Sequence, residues 1–159
     1  MIGIAGSAYA VDVISKVLAV HHLSDRDAIP LLGDWFQLSL TRNPGAAFST
    51  GTEYTYVLSS LAVVAMVVVP YVGRRVATTA WAVALGLLMA GIAGNLTDRL
   101  FRSPGPMLGH VVDFLRVPNW PIFNVADICI NVGAGLIVLQ ALRGVAVDGQ
   151  RHESGRATA

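Results

Sequence analysis

The sequence predicts an all-α membrane protein: four transmembrane helices with a small extracytoplasmic β-hairpin or sheet. Three observations point there. Apolar residues make up 54% of the 159 positions and charged residues 13%, against about a quarter charged in soluble domains. The charges crowd into a few stretches and leave long runs empty. Four of those runs, residues 1–20, 54–72, 78–96 and 122–142, approach the ~20 apolar residues that cross a bilayer. A net charge of +1 gives no nucleic-acid footprint. The single cysteine, Cys129, excludes an intrachain disulfide and reads as a small buried side chain of the last run.

Four spans put both termini on one side. The tight connector, residues 73–77, holds Arg74 and Arg75, and the tail holds Arg143, Arg151 and Arg156. The long connectors, residues 21–53 and 97–121, together hold five arginines as well, so a raw count of positive charge is a tie. Density favours the tight connector and the tail as cytoplasmic. The long connectors then face outward. Residues 1–146 form one four-span domain, and residues 147–159 a polar, disordered cytoplasmic tail.

The first span has no basic region before it and carries Asp12 and Lys16 in its apolar part, so it reads as a span rather than a secretory leader. The spacing i, i+4 puts Asp12 and Lys16 on one face. Charges in a span cost a few kcal/mol and usually pair. They read as a structural ion pair near the interface, with Lys16 snorkelling, or as a pair that positions a polar site. In the first long connector, residues 23–32 suit a short amphipathic piece, and residues 35–40 alternate as a half-exposed strand does. Arg42-Asn43-Pro44-Gly45 signals a turn, and residues 46–49 could pair back. Trp35 and Phe36 would sit at the membrane interface. The second span is uncharged from Tyr56 to Val72 and reads as a packing helix.

The third span places Gly86, Ala90 and Gly94 at small-xxx-small spacing, with Gly91 beside them, which suits close helix packing. It ends with Asn95, Asp98 and Arg99 on one polar face, where Asp98 and Arg99 would cap the helix or pair. In the second long connector, residues 109–115 read as a short extended piece with Asp113 between apolar neighbours. Asn119 sits in the turn Pro118-Asn119-Trp120-Pro121 that leads the chain back in. The fourth span then sets Asn124, Asp127 and Asn131 on one face.

Nucleophilic chemistry has little to work with. No G-x-S-x-G, H-E-x-x-H or Cys/His cluster occurs, and the four histidines lack ligand spacing. Ser15 and Lys16 are adjacent and diverge around a helix. No metal or cofactor is expected. What remains is acid–base chemistry by carboxylates, because two acids in one site split into a protonated and an ionised member. Asp113 and Asp127 are the natural pair, at the same outer face. Two other classes compete on the residues alone. A proton-coupled transporter would use Asp12, Lys16 and Asp127 as relays, although four spans without an internal repeat argue against it. A structural membrane partner would use the acids only as packing pairs.

Five stretches, in order, resemble the lipoprotein signal peptidases, the bacterial type II signal peptidases. They are D-V-I-S-K at 12–16, N-P-G-A-A-F at 43–48, G-N-L-T-D-R at 94–99, V-V-D-F at 111–114 and F-N-V-A-D at 123–127. The resemblance runs from the first span to the last. It implies a four-helix aspartyl peptidase of the bacterial cytoplasmic (inner) membrane with its active site near the outer face. It implies Asp113 and Asp127 as the catalytic dyad. Asp12, Lys16, Asn43, Asn95, Asp98, Arg99, Asn119 and Asn124 would orient the dyad, bind substrate backbone and hold the helices together. The substrates implied are prolipoproteins carrying a diacylglyceryl-cysteine, met within membrane lipid and cut just before that cysteine. Globomycin-type cyclic peptides are the inhibitors implied. Two features depart from the pattern: Val13 stands where the first motif usually has glutamine, and only eleven residues precede Asp12.

Overall fold

The computed structural model describes residues 1–45 and 53–151. The chain runs α1 (Ile2–Leu23), β1 (Ile29–Leu32), β2 (Phe36–Asn43), α2 (Glu53–Gly73), α3 (Thr79–Phe101), β3 (Val111–Arg116) and α4 (Val125–Leu142). All four helices are long and apolar enough to cross a membrane, so the four expected spans are present, with altered ends. Together with a three-stranded sheet, they make a multi-pass membrane protein.

The ends moved for identifiable reasons. α1 continues through His21 and His22 to Leu23, which is buried with Ala19 under the sheet. α3 continues five residues past Leu96, because Asp98 and Arg99 are buried within the fold rather than leaving it. α4 starts at Val125, later than expected, because Asn124 caps it: the Asn124 side chain accepts from the Asp127 N–H, and the Asp127 carboxylate accepts from the Asn124 N–H.

The sheet has the order β1-β2-β3 and is antiparallel throughout. β2 is the expected strand. Residues 23–32, expected as a short amphipathic piece, hold the end of α1 and an edge strand, Ile29–Leu32, that pairs with β2. Residues 46–49, expected to pair back, lie outside the described residues. β3 is the extended piece expected around Asp113, with Thr41 opposite Asp113. After β3 the chain turns at Asn119, whose φ is +57°, and Phe123 returns to exchange hydrogen bonds with Leu115 at 2.8 and 3.0 Å. This fixes where α4 begins relative to Asp113.

Two apolar clusters hold the ends. Ala19, Leu23, Val112 and Phe114, with Ile29 and Leu38, tie the sheet to α1. Val69, Trp81 and Leu85, with Met1, Val145 and Val147, close the other end. There Trp81 Nε1 donates to the Val145 carbonyl at 3.1 Å, and the Ala77 N–H donates to the Val147 carbonyl at 3.1 Å. A turn follows, closed by a bridge between Val145 and Arg151.

α3 is the central helix, packing on α1, α2 and α4. Its small residues allow this. A Cβ on Gly94 would fall on the Asp12 carboxylate, and one on Gly91 on the Ala126 carbonyl. Gly94→Val should therefore lower stability by about 1–3 kcal/mol through overpacking. Gly6→Val, where nothing lies within 4 Å, should not. Thermal unfolding in detergent of the two variants beside the parent checks this; equal melting of both would refute it.

Candidate active site

Between the two apolar clusters lies a layer of polar side chains drawn from α1, α3, β2, β3 and the start of α4. Lys16 is 1% exposed, so it does not snorkel. Its ammonium meets three acceptors: Asp12 Oδ2 at 2.9 Å, Asp98 Oδ2 at 3.1 Å and Asn95 Oδ1 at 3.0 Å. It donates a hydrogen bond to Asn95 and is ion-paired with the two carboxylates. Asp12 carries the link onward, its Oδ1 accepting from the Ala126 N–H at 2.8 Å. That N–H is one of the unpaired donors of the first turn of α4. Asp98 pairs with Lys16 and Arg102, not with Arg99. Its Oδ2 also accepts from the Val112 N–H at 3.1 Å, which sets the register of β3.

Lys16 also fixes Asn95. Because the ammonium can only donate, Asn95 Oδ1 must face it. Asn95 Nδ2 is then turned to Asp127 Oδ1, at 2.9 Å. Asn124, fully buried, joins the two halves. Its Nδ2 lies 2.6 Å from Asp113 Oδ1 and 3.2 Å from Asn95 Oδ1, and its Oδ1 accepts from the Asp127 N–H at 2.9 Å. Asn43 Nδ2 donates to the other Asp113 oxygen at 2.9 Å, while Asn43 Oδ1 accepts from the Gly45 N–H at 2.8 Å. Each aspartate is thus held from two sides, and the two are linked through Asn124 and Asn95.

The two carboxylates differ in setting. Asp113 is 1% exposed on β3, whereas Asp127 is half-buried in the first turn of α4. Burial pushes the Asp113 carboxyl up to about 6. The Asn43 hydrogen bond opposes this, the negative charge of Asp127 adds to it, and Asn124 and Lys16 work against it. Asp127 opens onto a cleft of about 420 Å³ lined by Asn43, Trp120, Phe123, Ile128, Asn131 and Val132. Among the described residues, no His, Cys, Asp or Glu group is arranged to hold a metal.

Of the residues expected at the site, Asp12, Lys16, Asn43, Asn95, Asp98, Asp113, Asn124 and Asp127 form one connected network. Arg99 lies beside it, its guanidinium packed against Gly45, whose φ is +102° and where a Cβ would come within 3.0 Å of Nη2. Asn119 is exposed in the turn between β3 and α4, beside Trp35 and Trp120, and not in the network. Two supports escaped the sequence reading. Ser59 of α2 donates to the Met107 carbonyl at 2.7 Å, and Thr55 donates to the Pro44 carbonyl. α2 is therefore more than a packing helix, because it ties down the loops on which Asn43 and Asp113 depend. Both side chains are short hydroxyls in an apolar run, and nothing in that run marks them.

The sequence model of the signal peptidase (SPase) II family matches residues 4–143. A lipoprotein signal peptidase of Mycobacterium avium (strain 104) is 45% identical over 148 residues, covering 93% of this chain and 81% of the relative. One of Rhodococcus jostii (strain RHA1) is 47% identical over 148 residues, covering 93% and 75%. A bacterial membrane enzyme solved by the in meso method at 1.9 Å superposes with a TM-score of 0.77 at 25% identity, covering 88% of this chain and 90% of that one. Another, at 2.3 Å, gives 0.76 at 24% identity, covering 96% and 92%.

Proposed function

The chain belongs to the signal peptidase II family, and on that premise we propose that it is an aspartyl endopeptidase acting through Asp113 and Asp127. Family membership supports a protease that removes lipoprotein signal peptides. The finer reading is that it cuts just before a diacylglyceryl-modified cysteine, at the outer face of the bacterial cytoplasmic membrane, with both termini inside. The observation that carries the dyad is that both carboxylates accept from Asn124, Asp113 from its side-chain Nδ2 and Asp127 from its backbone N–H, with Asp127 lining the cleft.

The chemistry follows from their settings. Asp113, buried and raised to about 6, is the member that carries the proton below that pH. Asp127 sits at a helix N-terminus, where negative charge is favoured, and accepts from Asn95 and from the Asn124 N–H. A water between them gives a proton to Asp127 while its oxygen attacks the scissile carbonyl carbon. The carbonyl oxygen takes the proton of Asp113. The product is a tetrahedral diol, with no acyl-enzyme. Its collapse breaks the C–N bond, and the proton held by Asp127 goes to the departing amine of the lipidated cysteine. One hydroxyl proton of the diol returns to Asp113. Asn43 is read as holding Asp113, and Arg99 and Asn119 as binding substrate backbone. Asp12, Lys16, Asn95, Asp98 and Asn124 orient the dyad. Globomycin-type peptides would compete for the cleft.

This makes a pH prediction. A folded-state carboxyl raised to about 6 keeps its proton up to that pH and loses it above. The basic limb of kcat/KM for the free protein should therefore lie near pH 6. Asn43→Leu removes a hydrogen bond that lowers the Asp113 value, so the limb should move upward. A limb unmoved in a folded, active Asn43→Leu variant would take Asp113 out of the acid role.

The direct test of function uses purified protein in detergent with a synthetic prolipoprotein peptide, with and without its diacylglyceryl group. Release of the signal peptide from the lipidated peptide alone is expected. Proton flux in vesicles without any cleavage would favour a transporter instead.

A further inference from the structure

α4 carries one exposed polar side chain that the catalytic network does not use. Asn131 is exposed and lines the same cleft as Asp127. It is the one exposed polar side chain among the described residues of that helix; the exposed large apolar side chains there are Ile128, Val132, Val138, Leu139 and Leu142. A lipid-facing amide in a span is costly unless it finds a partner. Asn131 Nδ2 donates back to the Asp127 carbonyl at 2.8 Å. That bond uses one of its two N–H groups and leaves the other available to a ligand in the cleft that Asn131 lines. Four residues along a helix are ~6 Å, so Asn131 lies one turn further along α4 than Asp127.

We propose that Asn131 is a specificity-determining residue whose side-chain amide donates a hydrogen bond to an ester carbonyl of the substrate's diacylglyceryl group. This rests on the peptidase reading above. In that reading the scissile carbonyl sits at Asp127, and the lipidated cysteine is the next residue. Its glyceryl arm descends from the sulfur toward the hydrocarbon, and the ester carbonyls hang a short arm below. They are the strong hydrogen-bond acceptors of that part of the substrate. The apolar walls, Ile128 and Val132, suit the start of the acyl chains, and the amide suits the esters. The contact is the same in ground and transition states, so it acts on KM rather than kcat.

The test compares two peptides that differ only in the lipid: one diacylglyceryl, one dialkylglyceryl, in which ether oxygens replace the esters. The parent should cleave the diester with about fivefold to tenfold lower KM, the worth of one neutral hydrogen bond. Asn131→Leu should raise KM for the diester to the ether's value and leave kcat and the ether substrate unchanged. Asn131→Gln should recover part of the preference. If Asn131→Leu melts well below the parent, Asn131→Ser is read in its place. A parent that treats the two lipids alike, or a variant that loses equally on both, overturns the proposal and leaves the peptidase intact. A parent that cleaves neither peptide overturns the peptidase reading itself.

Discussion

Asp113→Asn and Asp127→Asn should each lower kcat by about 10³- to 10⁴-fold while remaining folded, the scale expected when a water-activating group is lost. The fold is expected to survive because the costs offset. At pH 8 the parent holds a buried Asp113 charge whose raised pKa, about 6, marks a penalty of about 3 kcal/mol. Asparagine removes that penalty. In exchange one of two donated hydrogen bonds, from Asn43 or Asn124, meets an N–H instead of an oxygen, at a cost of roughly 1.5–3 kcal/mol. The sign with pH follows. A raised carboxyl contributes stability below its unfolded value near 3.9 and loses it as pH rises through about 6. Asp113→Asn should thus melt close to the parent at pH 8 and below it at pH 4. If the acids only packed the helices, the variant would instead be destabilised at both pH values and, where folded, would keep its activity.

Lys16→Met carries the largest expected effect on stability. The ammonium is matched by Asp12, Asp98 and Asn95. Removing one member of a buried ion pair costs about 3–5 kcal/mol, because the partner's charge is left uncompensated. Here the stranded group is Asp12, since Asp98 keeps Arg102. Melting in detergent should fall by roughly 10 °C. Adding Asp12→Leu to Lys16→Met should recover much of it, since no lone charge then remains. Activity should not return, because Asn95 has lost the donor that turns its amide toward Asp127. A Lys16→Met protein that melts with the parent would mean the triad is solvated and contributes little.

Much of this was legible in the sequence because membranes make polar residues conspicuous. Asp12 and Lys16 one turn apart in an apolar run had to pair, and Asp113 between valine and phenylalanine had to meet donors. What pattern could not supply was which partner each would find. Asp98 stands next to Arg99 in sequence yet bonds Lys16, because α1 crosses α3 at Gly94 and brings the ammonium to it. β1 contains Pro30 and only four residues, so it exists as a strand only because β2 accepts it. Asn124 showed as a polar residue on a helical face. Its role as cap of α4, ligand of Asp113 and neighbour of Asn95 comes from β3 folding back at Asn119, which is a tertiary fact. Asn119 itself has the left-handed turn conformation as its visible task.

The central claim is that Asp113 and Asp127 act on one water as a unit. The measurement that tests it most directly is a double-mutant cycle on kcat/KM for the lipidated peptide, with Asp113→Asn, Asp127→Asn and the double variant, each checked by thermal melt. Groups that work as a unit lose everything at the first substitution. The account predicts that the double variant is within about threefold of either single one. Either folded single variant cleaving at near the parent rate, or losses that multiply, would contradict it.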